Sequence, residues 1–423
     1  MFHVPKTAGG HPRVVMSTLA VIGALVVGAA GWAAVKTSEP VANLAARPMA
    51  SAPRPPIVLV DSLPDLSASL DRHSRFMGGI LVARGDQVLF RRVQGPADVS
   101  AHKELALDTP FRLASVSKQF TAVAVLKLQD EGKLSVEDPV CKWIQPCPAA
   151  WGAIRIRHLL THTSGIPDLM ARPLWGMRRV TPTNLNELTE ESKKYGLQFE
   201  PGSKVRYNNA GFNLAAAIVE KASGMPFEAY LRTQLFEPLG MSHTGLGDTD
   251  GIAVGYANFP SGLAAQTQPN VSVVTGAGAL YSTLDDMLIW QRALHGGHIL
   301  KADTYAQFLA DHAPADTPNE RGRPRRTWGY GIFTNSLGRQ VSPSFEARQI
   351  YHTGSWSGFR NLVLYQPDQQ VTVIVLSNNY HQRDEVFLLA QQAMAEALGQ
   401  PFPKALSRGS PGRQAAASPA QQD

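Results

Sequence analysis

The chain has 423 residues, of which 44% are hydrophobic and 17% charged, so it can bury a large core and is neither a disordered segment nor a small stapled scaffold. Its two cysteines, Cys141 and Cys147, are too few for a paired-cysteine metal site, and no metal or cofactor is expected. The net charge of +6 is scattered apart from Arg321 to Arg326 (RGRPRR) and a few tail residues, which reads as solvated surface; the Arg321 cluster could touch anionic lipid or cell-wall polymer, and no nucleic-acid partner is expected of an exported domain.

Residues 1–36 form a first unit. Lys6, His11 and Arg13 precede an apolar run, Val14 to Val35, long enough to cross a bilayer as a helix. It is either a signal peptide, with Gly28-Ala29-Ala30 resembling a small-residue cleavage site, or a retained anchor; its length favours retention. Either way the rest of the chain is expected in the periplasm or another extracytoplasmic space. It would be tethered to the inner membrane by residues 14–35, or secreted after cleavage. Residues 37–56 are a Pro/Ala-rich linker, 57–400 the expected folded domain, and 401–423 a Ser/Ala/Gln/Pro-rich tail expected to be disordered. In an extracytoplasmic location Cys141 and Cys147 could pair as a disulfide that staples one loop.

Within the domain, Asp61 to Phe76 reads as a helix, and Gly79 to Ala83 with Gln87 to Val93 as a hairpin turning at Arg84-Gly85-Asp86. A second hairpin, Arg360 to Gln366 with Gln370 to Ser377, lies near the other end and is followed by a helical segment from Asp384 to Leu398. Between them the pattern is mainly helical, at Ser115 to Glu131, Ile156 to Leu160, Ala210 to Ala222, Phe227 to Leu235 and Leu284 to Leu294. Strands from both ends can thus join in one antiparallel sheet flanked by helices, an α/β (α+β) architecture with an all-helical second lobe. A substrate crevice is expected between the lobes.

The chemistry begins at Ser115-Val116-Ser117-Lys118. A helix puts residues three apart on one face, so Lys118 can take the Ser115 proton if burial depresses its ammonium. Ser115 also lies at the helix start, where unpaired N–H groups favour developing negative charge. Taken alone, the pattern is also that of a capping serine followed by a solvated lysine. Tyr207-Asn208-Asn209 places a phenol and an amide two residues apart before a helix beginning near Gly211; Tyr207 could relay a proton and Asn209 donate to a substrate carbonyl. Tyr351-His352-Thr353-Gly354-Ser355 reads as a strand edge able to hold an extended substrate, with Ser355 N–H and Ser115 N–H as candidate oxyanion donors.

In this order, Ser-x-x-Lys, Tyr-x-Asn and His-Thr-Gly resemble the serine β-lactamase and D-alanyl-D-alanine peptidase superfamily, in its class C-like branch. The runs LSVEDPV (134–140), IRHLLTHTSG (156–165) and TGAGALYSTLDDM (275–287) are similar too. The resemblance implies an acyl-enzyme on Ser115, with Lys118 and Tyr207 sharing proton transfers and Asn209, His352, Thr353, Gly354 and Ser355 binding a small acyl, peptide or ester substrate. It leaves three outcomes open: esterase-like hydrolase, penicillin-binding D-amino-acid peptidase or true β-lactamase, and a slowly turning-over penicillin-binding sensor. Many β-lactamases of this branch carry lysine where His352 stands, and a histidine is largely uncharged at neutral pH, which lowers the expectation of β-lactam hydrolysis. Arg360 could replace that cation if it faces the cleft. His158 and His162 share the spacing of a zinc pair but lack the following Glu, which favours structural roles.

Overall fold

Apolar runs from the two ends of the chain meet in the middle of one sheet. A computed structural model describes residues 62–172, 180–314, 327–334, 341–343 and 347–405. The apolar run 14–35, the linker, the Arg321 to Arg326 cluster and the tail beyond 405 lie outside the described residues. Among the described residues, no helix is long and apolar enough to cross a membrane.

Helix α1 (Pro64–Arg72) starts on a proline, which fits a first turn where its missing N–H costs nothing. It is shorter than the expected 61–76. The hairpin β1 (Gly78–Arg84) and β2 (Gln87–Gln94) follows as expected. A short 3-10 turn, Ala114–Ser117, leads into α2 (Lys118–Asp130); α3 (Ile156–Leu160), α4 (Asn209–Ser223) and α5 (Leu284–His295) come next. The chain then closes with β3 (Ile350–Trp356), β4 (Phe359–Gln366), β5 (Val371–Ser377) and α6 (Arg383–Ala397).

The five strands run in the order β3-β4-β5-β1-β2, every pair antiparallel. The β1–β5 ladder, Gly78 opposite Ser377 to Arg84 opposite Val371, unites the two ends of the chain. Strand parity then sorts the core. Ile80, Val82, Val373 and Val375 face α1 and α6, whereas Leu81, Ala83, Ile374 and Leu376 face the α2 and α5 side. Across the first face, the Asp65 and Leu66 N–H groups donate to the Glu396 carboxylate at 3.0 and 2.8 Å, locking α1 to α6.

In the second lobe α2 is buried on nearly every side, its polar Lys118, Gln119 and Thr121 included. This lobe also holds short strands that periodicity does not reveal: Phe111–Arg112 pairs with Leu280–Ser282, which pairs with Gly245–Leu246, and Tyr256–Phe259 pairs with Gly262–Ala265. Runs of two to four residues are too short to alternate visibly. The expected helix 227–235 is a helix to Leu231 followed by a π turn, Arg232–Phe236, just before Pro238, which has no N–H for the helical ladder. Cys141 and Cys147 form a disulfide with their Cα atoms 5.3 Å apart. The tail is ordered farther than Pro401: Lys404–Ala405 pairs with Val341–Ser342, and the Gln392 amide donates to the Pro403 carbonyl at 2.9 Å.

Gly276 shows how tightly the second lobe closes. A Cβ there would lie 2.2 Å from the Phe212 carbonyl oxygen of α4, and the Gly276 carbonyl accepts from Thr121 Oγ1 at 2.6 Å. We predict that Gly276→Ala lowers stability by roughly 1–3 kcal/mol, the usual cost of overpacking, measured as a fall in the urea midpoint at unchanged m-value.

Candidate active site

Ser115 lies one turn before the α-helix and not on it. The difference matters, because a 3-10 turn has three residues per turn and eclipses positions i and i+3, which aligns Ser115 with Lys118 more closely than an α-helix would. Ala114 enters that turn in the left-handed region, at φ 51°, a conformation that costs a non-glycine residue about 1–3 kcal/mol unless its surroundings hold it. Two clasps do so. Leu113 N–H donates to the Leu280 carbonyl at 2.8 Å, and the buried Asn361 amide donates to the carbonyls of Arg112 and Leu113 at 2.8 and 3.2 Å.

Lys118 is fully buried, yet its Nζ has three oxygen neighbours: Ser115 Oγ at 3.1 Å, Asn209 Oδ1 at 2.9 Å and the Ala277 carbonyl at 2.9 Å. The nitrogen also stands 4.8 Å from the centre of the Tyr207 ring. Burial pushes the ammonium down to about 7 and the carboxylate of Asp168 opposes the shift. The neutral amine that a general base needs is therefore accessible near neutral pH.

Tyr207 and Asn209 flank the N-cap of α4, which starts a residue or two earlier than expected. Asn208 is that cap: its Oδ1 accepts from Gly211 N–H at 2.8 Å, and its side-chain amide donates to the Ile166 carbonyl. Its backbone N–H donates to His162 Nδ1 at 3.0 Å, and the His162 ring stacks on Tyr207 with centroids 4.4 Å apart. Burial, with Lys118 and His352 nearby, holds His162 well below the usual histidine range, so it serves as a neutral acceptor and support for Tyr207. His158 does a different job, accepting from Arg155 N–H at 3.2 Å. Among the described residues, no group of three or more His, Cys, Asp or Glu is placed to hold a metal ion.

Asn209 does not stand as expected. Its Oδ1 accepts from Lys118, while its amide N–H groups go to Asp168 Oδ2 at 3.0 Å and Met170 Sδ at 3.2 Å, so it is turned into the site wall and not toward a substrate carbonyl. Asp168 is the residue that sequence reading missed. It follows Pro167 and caps the 3-10 turn Leu169–Ala171 through Met170 N–H at 3.3 Å, so in sequence it is a turn residue like many others. Its signal was its position three residues beyond the IRHLLTHTSG run.

Strand β3 is the edge of the sheet and lies against the serine turn. A Cβ on Gly354 would sit 2.3 Å from the Leu113 carbonyl oxygen, so only glycine lets the edge approach. Alternation turns Thr353 and Ser355 to the partly open face, whereas His352 is buried, stacked on Phe333 at 5.1 Å and 6.5 Å from the Tyr207 ring centre. His352 Nδ1–H donates to the Thr353 carbonyl at 2.6 Å. Arg360, considered for the cleft, instead donates to the Tyr380 carbonyl at 2.9 Å with its guanidinium over the Tyr380 ring at 4.1 Å. Ser115, Lys118, Tyr207, Asn209 and His352 are thus brought together, with the Thr353 to Ser355 edge alongside.

The family model described as Beta-lactamase matches residues 65–397. The chain belongs to the Beta-lactamase family. Family members similar to it include Penicillin-binding protein 4* of Bacillus subtilis (strain 168), 29% identical over 80% of this chain and 76% of that protein. Esterase EstB of Burkholderia gladioli is 29% identical over 63% of this chain and 77% of its own length. Among solved structures, the octameric penicillin-binding protein homologue from Pyrococcus abyssi superimposes with a TM-score of 0.68 at 25% identity, covering 80% of this chain and 77% of that one. The protein is accordingly a serine hydrolase of this family.

Burying Lys118 has a stability cost whose pH window follows from its pKa. With the folded value at about 7 and the unfolded one at the model-peptide 10.5, the unfolded chain binds the extra proton between them. The cost is complete below about 7 and fades as pH rises toward 10.5. We predict that Lys118→Met raises the melting temperature relative to wild type most at pH 6, and that this advantage shrinks steadily toward pH 10 in calorimetric scans.

Proposed function

We propose that the protein cleaves small amide or ester acyl compounds outside the cytoplasm through an acyl-enzyme on Ser115. The observation that carries this reading is the 3.1 Å contact between Ser115 Oγ and a buried Lys118 whose ammonium is pushed down to about 7. Neutral Lys118 takes the hydroxyl proton as Oγ attacks the acyl carbonyl; the backbone N–H groups of Ser115 and Ser355 receive the oxyanion. Tyr207, beside Lys118, passes a proton to the leaving group, and water then attacks the acyl-enzyme to release the acid and restore the Ser115 hydroxyl. His352 supplies a buried imidazole where a permanent ammonium would recognise a β-lactam carboxylate, and Arg360 is turned to Tyr380. Both features favour ester and amide substrates over efficient β-lactam hydrolysis. The apolar run 14–35 and the Cys141–Cys147 disulfide support export, with the run kept as a membrane tether.

The test is to incubate wild type and Ser115→Ala with a p-nitrophenyl ester and with fluorescent penicillin. We expect ester turnover to fall at least about 10³-fold in Ser115→Ala, as when other serine nucleophiles are removed. Turnover that survives the substitution would sink the mechanism. Stable penicillin labelling of Ser115 without ester turnover would move the reading to a peptidase or sensor. In wild type, kcat/KM for the ester should rise with pH and level off above about 7, because only the deprotonated lysine accepts the serine proton. A flat profile from pH 5 to 9 would remove Lys118 as the base.

A further inference from the structure

The Asp168 carboxylate takes no part in the acyl-transfer steps, yet it touches Asn209, which in turn contacts Lys118. We infer that Asp168 is a positioning residue. By accepting from the Asn209 amide it holds the Asn209 carbonyl oxygen toward Lys118, and so aims the lone pair of neutral Lys118 at Ser115. The inference rests on Ser115 and Lys118 being the reacting pair proposed above.

A count of donors and acceptors supports it. A neutral lysine amine has two N–H groups and one lone pair. Two of its three oxygen neighbours, Asn209 Oδ1 and the Ala277 carbonyl, can only accept, and together they use both N–H groups. The lone pair is left for the third, Ser115 Oγ, whose hydroxyl then donates to it. This direction is the one proton abstraction requires.

The count holds only for one orientation of the Asn209 amide. Reversed, the amide would turn an N–H into Lys118, fill its lone pair and leave the Ser115 proton without an acceptor. Oxygen and nitrogen ends of an amide differ little in shape, so packing alone does not choose between them. The choice is made on the far side, where the Asp168 carboxylate and the Met170 sulfur both accept. Reversal would set the amide oxygen against the carboxylate and lose a charge-assisted hydrogen bond. Asp168 is itself held by Met170 N–H, in a turn built on Pro167. The chain of contacts, Asp168 to Asn209 to Lys118 to Ser115, has steps of 3.0, 2.9 and 3.1 Å.

The carboxylate also acts through its charge, which favours the Lys118 ammonium. Charge and orientation separate in the right variants, assayed on the full chain with the p-nitrophenyl ester across pH, with melting curves to verify folding. Asp168→Asn keeps an acceptor oxygen but removes the charge; its plateau kcat should stay within about threefold of wild type while its acidic limb moves to lower pH. Asp168→Ala loses the acceptor, and its plateau kcat should fall roughly 10- to 100-fold at little changed KM. Asn209→Asp alone sets two carboxylates together and should be slow. Combined with Asp168→Ala, however, it should recover activity over Asp168→Ala, because a carboxylate has no donor end to turn toward Lys118.

A folded Asp168→Ala enzyme with the wild-type plateau, whatever its acidic limb, would overturn the inference, as would a double variant slower than Asp168→Ala. If Asp168→Ala does not fold, a folded Asp168→Asn enzyme that loses its plateau overturns it equally. Ser115→Ala run alongside separates the two levels: activity without Ser115 refutes the reacting pair, whereas an inactive Ser115→Ala beside an unaffected Asp168→Ala refutes only the positioning role.

Discussion

A lysine with no solvent exposure, held by three oxygen neighbours, is the constraint on which the rest of the structure depends. A buried ammonium is costly unless its hydrogens find acceptors, and each acceptor here comes from a different part of the chain: the serine turn, the first residue of α4 and the Gly276–Ala277 segment. The second lobe can be seen as the scaffold that brings those three to one point. The same burial that costs stability brings the amine close to neutrality, so the destabilising feature and the reactive one are a single feature.

Close backbone approach joins the lobes and closes the second one. Gly354 lets the sheet edge touch Leu113, and within the second lobe Gly276 lets its segment cross α4; a Cβ at either place would overlap a carbonyl oxygen. Asn361 ties the first contact down from the sheet side: it binds the carbonyls before Ser115 while its own Oδ1 accepts from Ser377 N–H at 3.3 Å. The left-handed Ala114 is held between these groups, so the nucleophile's position is set by the sheet as much as by its helix. A site built this way has the β3 edge on one side and polar turn residues on the other.

The two hairpins and the closing helix were legible in the sequence because continuous apolar runs of strand length, bounded by turn residues, and one long helical segment stand out there, and the observed bounds differ by only a residue or two. The short pairings around Phe111, Gly245 and Leu280 were not, since two- and three-residue strands carry no period. At the site, Ser115, Lys118, Tyr207 and His352 could be named from motif order. The direction of Asn209 and the presence of Asp168 could not. An amide can face a substrate or a wall with the same two neighbours in sequence, and a Pro-Asp pair reads as a turn until its carboxylate is seen against another side chain.

The sequence by itself determined the family, the antiparallel sheet joined from both ends, and the identity of the serine and its lysine, because ordered motifs and strand periodicity are local properties of the chain. Only the tertiary structure decided that Ser115 sits on a 3-10 turn, that Lys118 is dry, and that Asp168 and Asn209 stand behind it. Burial and hydrogen-bond direction arise from residues far apart in the chain, such as Lys118 and Ala277, 159 positions apart, which local sequence pattern cannot bring together.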